Sequence, residues 1–317
     1  MSLAGRAVLV TGADGFVGHH LCDELQRAGA RVRGTGERAD TAHPALDGWH
    51  TMDLLVPDQV DAAVSAGPPE LVVHLAGQSS AARSFVEPAP TYRVNAIGTW
   101  NVLDAVRRHA PAARVLVVGT GEVYGPQPPG TRVAESAPFR PVSPYALSKA
   151  AADALSDAFA RRHGIDVVRT RSFGHAGPGQ RDQFVVPSFA RQIAEIEAGR
   201  AEPVVRVGNL DVTRDLTDVR DVVVAYLALL ARGRSGAAYN VCRGEGVLLR
   251  EVVDRLAARS RVPVRVEPDP ARMRSADITY LVGDPAAIAR DTGWSASIPL
   301  DRTLDAVLDE WRVRSAG

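Results

Sequence analysis

Cysteine is scarce in this sequence, and lysine is almost absent. The 317 residues include two cysteines, Cys22 and Cys242, and a single lysine, Lys149. Two cysteines are too few for a disulfide framework or a zinc cage, so neither is predicted. The histidines show no ligand spacing, and we expect no metal. A genome biased toward arginine explains a shortage of lysine, so Lys149 is a candidate for a site where a guanidinium would not serve.

The chain also lacks an excess of charge of either sign. Lysine and arginine total 37, and aspartate and glutamate also total 37. Proteins that bind nucleic acid or anionic membranes usually carry a basic excess, so neither is an expected partner. No apolar run reaches the roughly 18 residues of a membrane-spanning helix, and residues 1–6 lack the features of a signal peptide. These absences predict a soluble cytoplasmic protein.

Short apolar segments alternate with helical ones over the first half of the chain. Such alternation is typical of a parallel sheet that helices cover on both faces. Strands are predicted near residues 7–10, 31–35, 71–75, 115–118 and 167–170, and helices near 16–28, 91–109 and 143–163. The segment 125–141, rich in proline and glycine, is the largest loop candidate, and long loops are often functional.

The pattern changes after residue 172. Helices are predicted near residues 187–199, 218–232, 247–258 and 300–314, and strands near 204–207, 238–241 and 264–267. A chain of this length favours about two domains. The predicted fold class is α/β: a Rossmann-type doubly wound parallel sheet over residues 1–172, and a smaller C-terminal α/β substrate-binding domain over 173–317. Residues 213–242 are expected to return to the first domain.

Three glycines, Gly12, Gly15 and Gly18, lie between the first predicted strand and the first predicted helix, in the segment TGADGFVG at 11–18. In this context the first permits a tight turn and the second lets the backbone approach a pyrophosphate. The third lets helix and strand pack closely, while the helix N-terminus stabilises negative charge. The segment predicts a dinucleotide-binding turn rather than an ordinary glycine-rich one.

The end of the second strand bears on the choice of cofactor. A carboxylate there binds the ribose 2′-hydroxyl of NAD, whereas an arginine accommodates the 2′-phosphate of NADP. The expected acid position is Gly36, and Glu37 and Arg38 follow it. A missing acid beside an arginine favours NADP(H), with NAD(H) as the alternative. Glu37 and Arg38 could also form a solvated pair that decides nothing.

Tyr145 and Lys149 lie at the start of a long predicted helix. A spacing of four places the phenol and the ammonium on one helix face. A nearby cation favours the phenolate, so we expect Lys149 to lower the pKa of Tyr145 and make it a general acid or base toward an alcohol or ketone. Thr120 ends the strand near 115–119, where its hydroxyl could hydrogen-bond the reacting oxygen. Glu122 is either a catalytic carboxylate or a charge at the mouth of the loop.

Together these features resemble the extended short-chain dehydrogenase/reductases, which act on nucleotide-activated sugars. The resemblance covers nearly the whole chain and rests on the glycine turn, the segment HLAG at 74–77, Asn95, Thr120 and the Tyr145/Lys149 pair. The segments GPGQ at 177–180, VGNLDVTRD at 207–215 and DVRD at 218–221 are similar to those of GDP-mannose 4,6-dehydratases and GDP-4-keto-6-deoxymannose reductases. Phe184, Val185 and residues 274–283 resemble the reductases more closely.

The resemblance implies a cofactor in the N-terminal domain and a GDP-sugar in the C-terminal part. The implied cofactor-binding residues are Gly12, Asp14, Gly15, Phe16, Val17, Gly18, Arg38, Asp53, Leu54, Leu75, Ala76, Gly77, Asn95, Tyr145 and Lys149. The implied substrate-binding residues are Ser79, Gly174, His175, Val185, Gly208, Asn209, Arg214, Arg274 and Asp277. Asp53 is expected to contact adenine. Arg214 and Arg274 are expected to neutralise the diphosphate, because guanidinium groups bind phosphate oxygens in bidentate fashion.

The chain departs from the family pattern in two places. Family dehydratases carry Asp or Ser between Thr and Glu, where this chain has Gly121, which can supply neither acid nor base. The departure weakens the dehydratase interpretation, although Glu122 is retained. The family usually has Asn before His175, where this chain has Gly174. We expect this glycine to open room for a different, bulkier sugar.

These observations predict an NAD(P)H-dependent reductase of the 4-keto group of a GDP-4-keto-6-deoxyhexose. Tyr145 would protonate the forming alkoxide, Lys149 would hold the cofactor ribose, and Thr120 would orient the oxygen. The alternative is a nucleotide-sugar 4,6-dehydratase or epimerase that retains its cofactor. The intact Tyr145/Lys149 pair argues against a catalytically silent nucleotide sensor. The resemblance also implies a homodimer built from the helices near 91–109 and 143–163, although their apolar faces could equally pack internally.

Overall fold

The structure is a computed structural model that describes residues 2–38, 46–273 and 278–316. Its strands are β1 (Ala7–Thr11), β2 (Arg31–Gly36), β3 (Gly48–Thr51), β4 (Leu71–His74), β5 (Arg114–Thr120), β6 (Asp166–Ser172), β7 (Gly174–Ala176), β8 (Val204–Val207), β9 (Thr213–Asp218), β10 (Ala238–Val241), β11 (Gly246–Leu248), β12 (Arg265–Pro268) and β13 (Tyr280–Leu281). Its helices are α1 (Phe16–Arg27), α2 (Pro57–Ser65), α3 (Ala81–Val86), α4 (Pro88–Tyr92), α5 (Gly98–His109), α6 (Pro144–His163), α7 (Val185–Glu197), α8 (Val219–Arg232), α9 (Leu249–Ala257), α10 (Ala286–Thr292) and α11 (Leu300–Ala316).

Seven parallel strands form the largest sheet, in the order β3-β2-β1-β4-β5-β6-β10. The apolar runs that predicted buried strands lie at its centre, and all four residues of β4 are buried. The order reverses between β1 and β4, so the carboxyl ends of these two strands border the crevice in which such sheets bind ligands. This topology confirms the predicted doubly wound sheet.

Helices cover both faces of this sheet. On one face, Leu21 and Leu25 of α1 share a core with Val222 and Leu229 of α8. On the other face, α2, α5 and α6 enclose a second core. Because both faces are covered, the strands carry apolar residues on both sides, which explains why they appear as continuous apolar runs in the sequence. No helix among the described residues is long and apolar enough to cross a membrane.

The second half of the chain builds smaller sheets. Strand β9 pairs with β7, β11 and β13, and β8 pairs with β12. Helices α7, α9 and α11 enclose a core with these strands. The chain then returns to the large sheet, because α8 packs on α1 and β10 pairs with β6. We propose that residues 219–241 belong with the nucleotide domain and that β9 belongs with the substrate side.

The helix predicted over residues 91–109 is interrupted by a wider turn. It consists of the end of α4, a π-helical turn at Arg93–Ile97, and α5. Single π-helical turns often occur at functional sites, since the extra residue redirects a side chain. Asn95 lies in the middle of this turn and is 1% exposed.

A buried carboxylate fastens α6 to the sheet. Asp153 of α6 accepts a hydrogen bond from Arg169 at 2.8 Å and another from Arg171 at 3.0 Å, both on β6. Arg171 also donates to the Tyr124 hydroxyl at 2.8 Å and to the Glu135 backbone carbonyl at 2.7 Å. The network therefore holds the long loop at 125–141 and the helix that carries the candidate phenol against the same strand.

We predict that Asp153→Asn destabilises the protein strongly. Removal of one partner from a buried ion pair typically lowers the free energy of unfolding by about 3–5 kcal/mol, because the remaining charges stay buried. Urea denaturation measures the change. Glu87→Gln is the control, because the Glu87–Arg83 pair is exposed and such pairs contribute less than about 1 kcal/mol. Equal losses in the two variants would contradict the role assigned to Asp153.

Candidate active site

The turn after β1 leaves no space for side chains at two of its glycines. Gly12 has a φ of +69°, and a Cβ there would lie 2.9 Å from the Cα of Ala76, which follows β4. A Cβ on Gly18 would lie 2.3 Å from the Gly12 carbonyl oxygen. Gly15 precedes α1 in an extended conformation, and no side chain caps the helix. The helix N-terminus therefore faces the crevice between β1 and β4, as a pyrophosphate site requires.

A chain of hydrogen bonds joins the ends of β1 and β4 to α5. The Nδ1 atom of His74 lies 2.8 Å from the Thr11 hydroxyl, and its Nε2 atom lies 3.0 Å from the Thr99 hydroxyl. Thr99 donates its own proton to the Asn95 carbonyl, so Nε2 of His74 must donate and Nδ1 must accept. Burial lowers the pKa of His74 to about 3, and nearby Lys149 lowers it further in the same direction. His74 is therefore a neutral positioning residue.

At the end of β2, Gly36 stands where an acid was expected, and the carboxylate of another segment lies over it. A Cβ on Gly36 would lie 2.6 Å from the carboxyl carbon of Asp14, which comes from the turn after β1. Glu37 and Arg38 follow Gly36 and are exposed. Asp53 is exposed at the end of β3, where its carboxylate accepts a hydrogen bond from the Leu55 amide at 2.8 Å.

Leu54, a member of the predicted cofactor set, follows β3 and packs against the start of α5. It is buried, and its Cβ lies 2.9 Å from the position that a Cβ on Gly98 would take. Its carbonyl accepts a hydrogen bond from the Asn101 side chain at 2.7 Å. Leu54 therefore contacts the start of α5, and a role in cofactor binding stays a prediction.

The structure brings Tyr145, Thr120 and Glu122 together. Ser143 caps α6 by accepting from the Ala146 amide at 3.1 Å, which places Tyr145 in the first turn. Burial raises the pKa of Tyr145, the charge of Glu122 raises it further, and a hydrogen bond with Thr120 lowers it. The expectation of a lowered phenol pKa is therefore wrong: in a buried site, loss of hydration disfavours the phenolate. The phenol is held in its protonated form.

Lys149 lies one helical turn beyond Tyr145 and is 8% exposed. Its ammonium donates a hydrogen bond to the Val118 carbonyl at 3.1 Å. It also lies 3.5 Å from the position that a Cβ on Gly77 would take. Burial lowers the pKa of Lys149 to about 8. A single donor group thus fits between β5 and the loop after β4, and a planar guanidinium would need more room.

Asn95 supports this arrangement from the π-helical turn. Its side-chain oxygen accepts from the Gln78 amide at 2.9 Å, and its nitrogen donates to the Gln78 carbonyl and to the Ser148 hydroxyl. Ser148 in turn donates to the Tyr145 carbonyl at 2.7 Å. Asn95 therefore ties the loop after β4 to the first turn of α6. Sequence reasoning missed Ser148, although it stands between the two residues of the predicted pair.

His175, a predicted substrate-binding residue, packs against the nucleotide turn. Its ring stacks on Phe16 at a centroid distance of 6.0 Å. His20 of the same helix lies 2.8 Å from the Pro178 carbonyl. Gly174 does not open room, because a Cβ there would lie 2.8 Å from the Asp215 carbonyl on β9. The expectation of extra space at this position is wrong, since the close approach of β7 and β9 fills it.

The remaining predicted substrate-binding residues surround the smaller sheets. The Arg214 guanidinium donates to the Thr213 and Ile278 carbonyls. A Cβ on Gly208 would lie 2.5 Å from the Arg272 carbonyl, and Asn209 accepts from the Asp211 amide. Val185 begins α7, and Ser79 is exposed after β4. Arg274 and Asp277 lie outside the described residues.

Asp215, next to Arg214, is a buried carboxylate that sequence reasoning missed. It accepts hydrogen bonds from the backbone amides of Arg243, Gly244 and Gly283. Burial raises its pKa to about 6, and the three amides act in the opposite direction. The carboxylate fastens β9 to the segments after β10 and β13. The segment 207–215 contained it, but no pattern marked it as a hydrogen-bond acceptor.

Packing explains why this chain has glycine at position 121, one of its two departures from the family pattern. A Cβ on Gly121 would lie 2.8 Å from the ring of Phe173, which is 5% exposed. An acidic side chain between Thr120 and Glu122 would therefore have to displace this ring.

Among the described residues, no group of three or more His, Cys, Asp or Glu could hold a metal ion.

Comparison with known proteins decides the family. A family model described as GDP-mannose 4,6 dehydratase matches residues 9–307. The chain belongs to this family. Its membership confirms the resemblance to the extended short-chain dehydrogenase/reductases on which the site residues were predicted.

Relatives of this family cover essentially the whole chain. The GDP-6-deoxy-D-mannose reductase of Pseudomonas aeruginosa is 38% identical over 98% of each chain. The solved structure of RMD from Pseudomonas aeruginosa with NADPH has a TM-score of 0.87 and 36% identity, and it covers 98% of this chain and 99% of its own. The UDP-glucose 4-epimerase of Thermus thermophilus with NAD has a TM-score of 0.88 and 28% identity, over 96% and 98%.

We predict that Lys149 titrates near pH 8 rather than near its usual 10.5. The amine reacts only when unprotonated, so labelling should rise as pH rises through about 8. Competitive acetylation followed by peptide mass spectrometry measures the midpoint, and a single lysine makes the assignment unambiguous. The same residue in urea-unfolded protein is the control and should titrate normally. A folded-state midpoint near 10 would contradict the prediction.

Proposed function

We propose that this protein is an NAD(P)H-dependent reductase of the 4-keto group of a GDP-4-keto-6-deoxyhexose. The full-length similarity to a GDP-6-deoxy-D-mannose reductase supports the substrate class. NADP(H) is the favoured cofactor, because the structurally similar RMD protein binds NADPH and because Arg38 follows the end of β2. NAD(H) is the alternative, as in the similar epimerase.

The residues of the chain fit a dinucleotide. Side chains at Gly12 and Gly18 would collide with the backbone of Ala76 and of Gly12, so the two glycines allow the tight turn that would hold the pyrophosphate. Bound NAD(P)H would supply the hydride. The buried, protonated Tyr145 hydroxyl would donate its proton to the carbonyl oxygen of the sugar as that oxygen gains charge. Thr120 would hold the phenol by hydrogen bonding, and the Lys149 ammonium would bind hydroxyls of the cofactor ribose.

The observation that favours a reductase over a dehydratase is the close packing of the Phe173 ring against Gly121. Elimination of water from the sugar needs a base and an acid beside the phenol. Glu122 supplies one carboxylate, but the neighbouring position has no room for a second unless Phe173 moves. Ketone reduction needs only a hydride and one proton donor, and the protonated Tyr145 hydroxyl beside Thr120 is that donor.

The residues that would bind the GDP-sugar are part of this proposal. Arg214 would bind the diphosphate, together with Arg274. Gly208 and Asn209, on the loop after β8, would contact the nucleotide, and His175 beside Phe16 would face both ligands. Both cysteines are buried free thiols, which supports a reducing compartment, and we propose the cytoplasm.

We predict that the purified protein oxidises one NAD(P)H for each GDP-4-keto-6-deoxymannose consumed. Loss of reduced-nicotinamide absorbance and chromatography of the sugar nucleotide measure the ratio. Tyr145→Phe should lower the rate by about 10²–10⁴-fold while leaving cofactor binding intact, because only the proton donor is lost. Conversion of GDP-mannose without net change of NAD(P)H would instead identify the retained-cofactor dehydratase. Full turnover by Tyr145→Phe would contradict the role of the phenol.

We also propose that the protein is a homodimer through α5 and α6. Ile97 is 49% exposed, Trp100 46% and Leu147 53%, all on this side of the molecule. Phe85 and Tyr92 on α3 and α4 are exposed nearby, and both helices pack on α6. Exposed apolar side chains on helices that pack together are typical of an interface, and a second copy would bury them symmetrically.

We predict that Leu147→Asp sediments as a monomer at concentrations at which the wild type is a dimer. A charge buried in an apolar interface loses its hydration without a partner. Val313→Asp is the control, because Val313 is 76% exposed on α11, away from this surface, and should not change the sedimentation. A monomeric wild type would refute the dimer.

A further inference from the structure

The carboxylate that lies over Gly36 comes from a different segment of the chain than the ribose-binding acid of a typical Rossmann fold. In such folds the acid that binds the adenosine ribose extends from the end of the second strand. Here Gly36 ends β2 and is buried, while Asp14 is partly exposed in the turn after β1. The Asp14 carboxyl carbon and Oδ2 each lie 2.6 Å from the position of a Cβ on Gly36. The Asp14 carboxylate therefore stands where a strand-end side chain would begin.

The backbone fixes this placement. The Ala13 amide donates to the Thr35 carbonyl at 2.9 Å, which fastens the turn to the end of β2. The Gly15 amide donates to the Gly12 carbonyl at 3.0 Å and closes the turn on the other side of Asp14. The backbone of Asp14 is thus held between two anchored residues beside the end of β2, and from there its carboxylate lies over Gly36.

We propose that Asp14 is the residue that discriminates between the two nicotinamide cofactors in this chain. Its carboxylate would accept a hydrogen bond from the ribose 2′-hydroxyl of NAD(H). It would oppose the 2′-phosphate of NADP(H), because two anions at close range repel. Arg38 acts in the other direction, so the preference of the chain is set by the balance of these two side chains. The inference rests on the proposed function, since it requires a dinucleotide at this turn.

The test compares two small ligands that differ only in the 2′-phosphate. Adenosine 5′-monophosphate and adenosine 2′,5′-bisphosphate are titrated by calorimetry into the wild type and Asp14→Asn, with NAD⁺ and NADP⁺ as the complete cofactors. We expect Asp14→Asn to shift the ratio of the two dissociation constants by about tenfold or more in favour of the 2′-phosphate, and to lose part of this shift at high salt.

Two further variants sharpen the test. Glu37→Gln removes the same charge from an exposed neighbour and should leave the ratio nearly unchanged. The double variant Asp14→Ala/Gly36→Asp moves the carboxylate to the strand end, where the backbone of Gly36 has an ordinary conformation. It should return the ratio toward that of the wild type, whereas Asp14→Ala alone should resemble Asp14→Asn.

The outcomes separate this inference from the proposed function. An unchanged ratio in Asp14→Asn, with both dinucleotides still bound, overturns the inference alone. A shift of equal size in Glu37→Gln also overturns it, because the effect would then come from net charge. Failure of the wild type to bind either dinucleotide overturns the proposed function together with the inference.

Discussion

The close approach of backbone segments at the carboxyl ends of β1 and β4 determines most of the site. Gly12 meets Ala76 and Gly18 meets the Gly12 carbonyl at distances that exclude any side chain. This packing points the start of α1 into the crevice. It also carries Asp14 over the end of β2 and Phe16 against His175, so residues predicted to bind cofactor and substrate meet at one turn.

The site combines buried titratable groups whose ionised forms are disfavoured. Burial raises the pKa of Tyr145, lowers that of Lys149 to about 8, and lowers that of His74 to about 3. Such an environment strengthens each hydrogen bond and keeps the phenol protonated. A proton donor is therefore ready at neutral pH, and Lys149 still carries most of its charge there.

The sequence predicted the large sheet and the segments that meet at the candidate site, because both depend on local patterns. Continuous apolar runs marked β1, β4 and β5, and residue spacing marked Tyr145 and Lys149. The π-helical turn around Asn95 could not be predicted, because its helical pattern continues without a break. The position of Asp14 over Gly36 and the direction of the Tyr145 pKa depend on segments far apart in the chain. Only the folded structure shows which group is buried against which.

Close packing explains both departures from the family pattern, and the Phe173 ring accounts for the first of them. The ring lies against Gly121 on one side and against Gly283 on the other, where a Cβ would come within 2.7 Å. The next residue, Gly174, lets β7 approach β9. The glycine at position 121 thus reflects packing against the Phe173 ring, and the glycine at 174 reflects the close approach of the Asp215 carbonyl and the Leu216 side chain. A larger residue at position 121 would require the Phe173 ring to move, so the residue between Thr120 and Glu122 is coupled to the packing of this ring.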